Sequence, residues 1–265
     1  MKGLWGRKLG AFSEYFRFVL DNQAKVIAVI PGVVAPLNVL FALGAAAFQS
    51  PGPEFLAVLY SITGVALLIV MFVAISQYVG DMNSGSYALF LSQPISRVAY
   101  VSAWALSSVV VPVASYLLSL AAPIAVIDVR LLGWVRLEDF AMLLVESLEL
   151  GLLVFTLATL TRSALFSLGV GFLLYVAPLF ASLTATVTLG GAPMPPQVIQ
   201  LPPATLTLLV AAFALRPFTL RLALGRYLQA VFQGYEALLG LAPLAVLLAS
   251  LTLTVAYAER RFEVR

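Results

Sequence analysis

Six stretches of this chain are long enough to cross a bilayer, and five of them contain no Asp, Glu, Lys, Arg or His. They run from Val26 to Phe48, Phe55 to Tyr78, Val98 to Ile127, Phe140 to Leu160, Ala164 to Leu189 and Ala237 to Ala258, the fourth broken only by two glutamates. A helix needs ~20 apolar residues to cross a hydrocarbon core about 30 Å thick, where the backbone finds no water to bond. Each stretch therefore reads as a transmembrane helix. The expected fold is all-α: a polytopic membrane bundle of six spans forming one domain over residues 1–265.

Composition agrees. With 62% hydrophobic and 10% charged residues and a mean hydropathy of +1.03, the apolar surface exceeds what a soluble core of 265 residues hides. The chain has no Cys, which excludes disulfides and thiol chemistry, and no His, which removes the commonest metal ligand and general base. No metal or cofactor bound by the chain is expected. Residues 1–25 contain no signal-type apolar run, so the amino terminus is expected to be retained, with the first span as its own signal.

The basic residues form no aromatic-interleaved patch for nucleic acid; they gather at the ends of spans. Lys2, Arg7, Lys8, Arg17 and Lys25 precede the first span, and Arg260, Arg261 and Arg265 follow the last. The positive-inside rule then places both termini in the cytoplasm and the protein in the plasma or inner membrane. Arg130 and Arg136 fall in the short external loop after the third span, and the inner loops add Arg97 and Arg162.

Within residues 1–25, Trp5, Leu9, Phe12, Phe16 and Val19 recur at helical spacing with charges off the stripe, predicting an amphipathic helix in the cytoplasmic interface. Residues 190–236 are expected to form an external segment that is first rich in Pro and then carries Arg216, Arg221 and Arg226. Its apolar piece, Thr205 to Leu215, has only 11 residues and reads as a re-entrant or surface-lying helix. Pro31, Pro36, Pro112, Pro123, Pro178 and Pro243 fall inside spans, where each removes a backbone donor and tends to kink its helix.

The cytoplasmic loop of residues 80–97 reads GDMNSGSYALFLSQPISR. Asp81, Asn83 and Ser84 supply amino-terminal capping chemistry, Tyr87, Ala88, Phe90 and Leu91 make an apolar face, and Pro94 ends the helix. A short rigid helix between Gly80 and Pro94 is expected, either as an interfacial turn or as a docking element. This loop resembles that of the permease subunits of type-2 ABC exporters: an acidic residue, a Gly-Ser pair, a leucine-rich turn, then Pro-hydrophobic-Ser-Arg before a Tyr. Asp81, Gly85, Ser86, Leu89 to Leu91, Pro94 to Arg97 and Tyr100 carry the match. Where that family often has an acidic residue before the Tyr and a basic residue four after it, this chain has Ala99 and Trp104. The resemblance implies that Gly85, Ser86, Tyr87, Phe90 and Leu91 form a coupling helix seated in a groove of a separate ATPase subunit. It also implies ATP and Mg held by the ATPase alone. Six helices are a small bundle in which to enclose a pathway for a sizeable substrate, so a second permease copy or a similar permease is expected as partner.

A phosphate-cradling loop needs GxxxxGK followed by Ser or Thr, and none of Lys2, Lys8 or Lys25 has that context, so the chain is not expected to be an ATPase or other enzyme. Glu146 and Glu149 share a face of the fourth span, with no Lys or Arg inside a span to pair with them. Acidic groups at such depth cost ~2.5 to 3.5 kcal/mol on insertion scales and suggest a pathway or an intramembrane partner. They stand either as pathway residues, for a cation, an amine or a proton, or as structural groups bonded to Asn38 or Gln77. The first possibility admits an alternative function, a secondary transporter driven by an ion gradient.

Overall fold

A computed structural model describes residues 2–47, 55–85, 95–127, 137–189, 203–224, 232 and 236–260. These residues are helical almost throughout, without a strand. In chain order the helices are α1 (Lys2–Ile27), α2 (Ala35–Ala47), α3 (Phe55–Ser84), α4 (Arg97–Ala105), α5 (Val111–Ile127), α6 (Leu137–Thr161), α7 (Ala164–Leu189), α8 (Pro203–Leu215), α9 (Pro217–Leu224) and α10 (Glu236–Arg260). Among the described residues five stretches are long and apolar enough to cross a membrane: Gly10–Gly44, Thr63–Ser84, Arg97–Ala122, Leu137–Thr161 and Gly240–Arg260. In α7 the described apolar stretch, Ala164–Ala177, is shorter.

The outside of the bundle is apolar. Leu40, Ile69, Leu118, Leu165, Phe172 and Leu248 are exposed, whereas Gln23, Asn38, Glu146, Glu149 and Arg216 are buried. A water-soluble bundle shows the reverse distribution; hydrocarbon around the protein accounts for this one.

Two pairs of helices are single rods interrupted by a wide turn. α1 and α2 are joined through Ile30–Val34, where the Ala35 N–H reaches back five residues to the Ile30 carbonyl. α4 and α5 are joined through Leu106–Val110, where the Val111 N–H reaches the Leu106 carbonyl in the same way. Both are π-helical turns, and each closes on the residue before a proline, Pro36 or Pro112. A proline has no N–H for the carbonyl four residues behind it, and a widened turn is one local way to accommodate that lost bond.

The amino-terminal helix thus runs directly into the first span. The predicted stripe turns onto protein: Val19 is fully buried and Phe12 and Phe16 pack against the core, where α1 lies along α4 and α3. The side chains of Trp5 and Leu9 lie outside the described residues.

Close packing depends on two glycines. A Cβ on Gly151 of α6 would lie 2.6 Å from Val109 Cγ1 and 2.9 Å from Met71 Sδ, and one on Gly171 of α7 would lie 2.5 Å from Val154 Cγ2. Their absent side chains let α6 approach the π-turn of the α4/α5 rod, and α7 approach α6. α10 packs along α6, tied by the Thr156 hydroxyl to Thr254 Oγ1 at 2.8 Å.

Candidate functional sites

The first site is an ion pair inside the bundle. Glu146 lies nine residues into α6, about 14 Å along its axis at the helical rise of 1.5 Å per residue. Its Oε1 accepts from Arg216 Nε at 2.6 Å, Tyr60 OH at 2.9 Å and Thr219 Oγ1 at 2.7 Å; its Oε2 accepts from the Thr219 backbone N–H at 2.9 Å. Arg216 is likewise engaged: Nη1 donates to the Tyr175 carbonyl at 2.8 Å, Nη2 to Thr219 Oγ1 at 2.7 Å, and the guanidinium lies 4.0 Å from the Tyr175 ring centroid. Both charged side chains are almost completely buried.

The local sequence explains this arrangement. Pro217 disfavours helical geometry at the preceding residue, so the helix breaks at Arg216 and restarts at once. The cation then stands at the carboxyl end of α8, and Glu146 meets a free N–H in the first turn of α9. Both placements complement the helix dipoles.

The expectation that no cation would be available to these glutamates is therefore corrected. Arg216 belongs to the segment read as external, but α8 and α9 pack against α7, with α8 also against α10 and α9 against α6, so their junction lies beside Glu146. Hydropathy scanning missed it because neither half, at 13 and 8 residues, is long enough to register as a span. The expected partners differ too: Asn38 Nδ2 donates instead to Ser119 Oγ at 3.2 Å, and Gln77 is exposed. Glu149 is buried as completely as Glu146, yet among the described residues neither of its oxygens has a hydrogen-bond partner.

The second site joins the stems of the loop at residues 80–97. Gly80, Asp81, Asn83 and Ser84 lie in the last turns of α3 and do not begin a new helix. The backbone ladder runs on to Ser84, and the chain leaves it at Gly85 with φ +76°, a conformation glycine adopts without steric cost. On the far side Ser96 caps α4 by accepting from the Ala99 N–H at 3.1 Å, and Arg97 is its first residue, exposed. Ser86, Tyr87, Phe90, Leu91 and Pro94 lie outside the described residues.

The two stems are bonded to each other. Tyr100 donates to Asp81 Oδ2 at 2.5 Å, its ring stacks on Tyr15 of α1 with centroids 5.6 Å apart, and Trp104 Nε1 donates to Tyr15 OH at 2.9 Å. Tyr78 stacks on Phe155 of α6 at 4.6 Å and bonds Thr159. Asn83 donates to the carbonyl of Arg162, which turns from α6 to α7 at φ +53°. Four helices thus converge where the loop emerges. Asp81 and Tyr100, both singled out by the loop pattern, meet; Trp104 was marked only as a departure from that pattern, and Tyr15 and Tyr78 had no such signal, because aromatic residues near a span end are also common anchors.

Among the described residues no group of three acidic, Cys or His side chains is placed to hold a metal. No protein-family model matches the sequence, and neither does any curated protein.

Proposed function

We propose that the chain is the permease subunit of an ATP-driven exporter of the type-2 ABC kind, with six spans, both termini cytoplasmic, and a separate ATPase docked on the loop at residues 80–97. The supporting observation is the Tyr100–Asp81 hydrogen bond, which fastens both stems of that loop to one aromatic knot shared by α1, α3, α4 and α6. A rigid mounting of this kind is what a docking element needs if motion of its partner is to tilt helices rather than flex a loop. ATP and Mg would stay on the partner, and two permease copies would enclose the pathway between them.

Purification of the full chain from its own membranes, with ATP hydrolysis measured in the eluate, tests the reading. Tyr87 and Phe90 supply the loop's large aromatic anchors, each worth ~2 kcal/mol or more if central to an interface. The Tyr87→Ala, Phe90→Ala variant is expected to insert normally and lose the co-purifying ATPase. An unaltered chain that brings no ATPase, or a variant that retains it in full, rejects the proposal.

One observation favours a second reading, a transporter driven by an ion gradient: the buried carboxyl of Glu149, which has no hydrogen-bond partner among the described residues. Glu146 lends it less, since Arg216, Tyr60 and Thr219 already occupy both of its oxygens. Transport that persists without ATP while a proton gradient is kept would favour this reading.

A further inference from the structure

The two π-turns divide their rods into corresponding halves. On one side, α1 and α4 are held together by the Tyr15–Trp104 bond and the Tyr15–Tyr100 stack, and this pair carries the Asp81–Tyr100 link to the loop. On the other side, α2 and α5 are held together by Asn38 and Ser119, while Tyr116 of α5 bonds Thr63 of α3 at 3.0 Å. α3 and α6 run past both halves without such a turn. The same four-residue pattern, Val-Val-X-Pro, occurs at both breaks, as Val33 to Pro36 and Val109 to Pro112.

At the division itself a buried side chain of α1 is bonded to the second turn. Gln23 of α1 accepts from Ser107 Oγ at 2.5 Å through Oε1, and its Nε2 donates to Ser108 Oγ at 3.0 Å and to the Ala74 carbonyl at 3.1 Å. Ser107 and Ser108 belong to the π-turn of the second rod, and Val109 beside them is the residue that Gly151 of α6 must accommodate. Gln23 therefore fastens the α1/α4 pair to α3 at the place where the second rod is least regular. With a five-residue reach replacing a four-residue one and a proline following, each break has a weaker backbone ladder than the helices around it.

We propose that the two π-turns form one joint, on which the α1/α4 pair moves as a block against α2 and α5, with Gln23 as its latch. Under the permease reading, docking at the loop supplies the push; the joint itself is a property of this chain alone and its test requires no ATPase.

Because the chain has no cysteine, spin labels can be placed at will. Labels at Arg17 of α1 and Leu118 of α5, both exposed, report across the joint, and labels at Leu40 and Leu118 report within the α2/α5 half. The full chain in lipid nanodiscs would be measured by pulsed electron resonance. Gln23→Leu is expected to broaden the 17–118 distance distribution or add a second component. Ser107→Ala is a milder release of the same latch should that variant fold poorly. Deletion of Val110, which returns the widened turn to ordinary helical spacing, is expected to narrow the 17–118 distribution, alone and in the Gln23→Leu background. The 40–118 distribution should stay unchanged throughout. Distributions across the joint that are identical in all variants, or a control pair that broadens equally, would overturn the proposal. An unaltered chain that brings no ATPase, with these distance changes intact, would remove the permease reading and leave the joint.

Discussion

Arg216 and Glu146 are expected to be strongly coupled, since removing one leaves the other as an uncompensated buried charge. Arg216→Leu should cost about 3 to 5 kcal/mol. The double variant Arg216→Leu, Glu146→Leu should recover much of it in thermal unfolding, since a buried pair exchanged for apolar side chains is often near neutral. Arg216→Lys should fall closer to the single loss than to the parent, because an ammonium cannot reproduce the Nε bond to Glu146, the Nη bond to Tyr175 and the face contact with its ring together. Glu149 behaves oppositely in this account. With no partner to orphan among the described residues, Glu149→Met should leave the unfolding midpoint unchanged or raise it. A stable Glu149→Met protein that has lost transport would make this carboxyl a functional group; a destabilised one would make it structural. In the sequence the two glutamates look equivalent, spaced three apart in one apolar helix. Their difference comes from a residue 70 positions away, beyond the reach of any local pattern.

At the scale of elements, the glycines at helix crossings give a graded test. Gly151→Ala should destabilise by about 1 to 3 kcal/mol through overpacking, and Val109→Ala should relieve part of it, since Val109 supplies the nearest clashing atom at 2.6 Å. Gly169→Ala, which meets open space, should be neutral or slightly stabilising by helix propensity. Thermal unfolding of the three variants in one detergent checks the order. Helix positions were largely legible: the predicted fourth, fifth and sixth stretches match α6, α7 and α10 closely, because long apolar runs specify helices whatever they pack against. Boundaries near the loop were not. Asp81, Asn83 and Ser84 suit either a helix start or a last polar turn, and only Gly85 marked the stop. The π-turns escaped because prolines alone announce a kink without saying how the ladder adapts; the repeated Val-Val-X-Pro pattern was the available signal.

For the whole molecule, the terminal clusters of Lys and Arg predict that tags at Met1 and Arg265 are accessible from the cytoplasm and a tag near Gly191 from outside. A carboxyl-terminal tag found outside would exclude an even number of spans with a cytoplasmic amino terminus. The buried pair also bears on how the protein is made. Glu146 leaves the ribosome 70 residues before Arg216, which at about 5 to 20 residues per second is an interval of roughly 4 to 14 s. During that time α6 must enter the membrane with its carboxyl unmatched, held by the insertion machinery or by whatever protons and water it finds there. The segment that supplies the guanidinium arrives late, with α10 the described helix still to follow. A ribosome stalled at residue 202 would release a protein in which the debt of that carboxyl is never settled, and quality control would have a defined species to recognise.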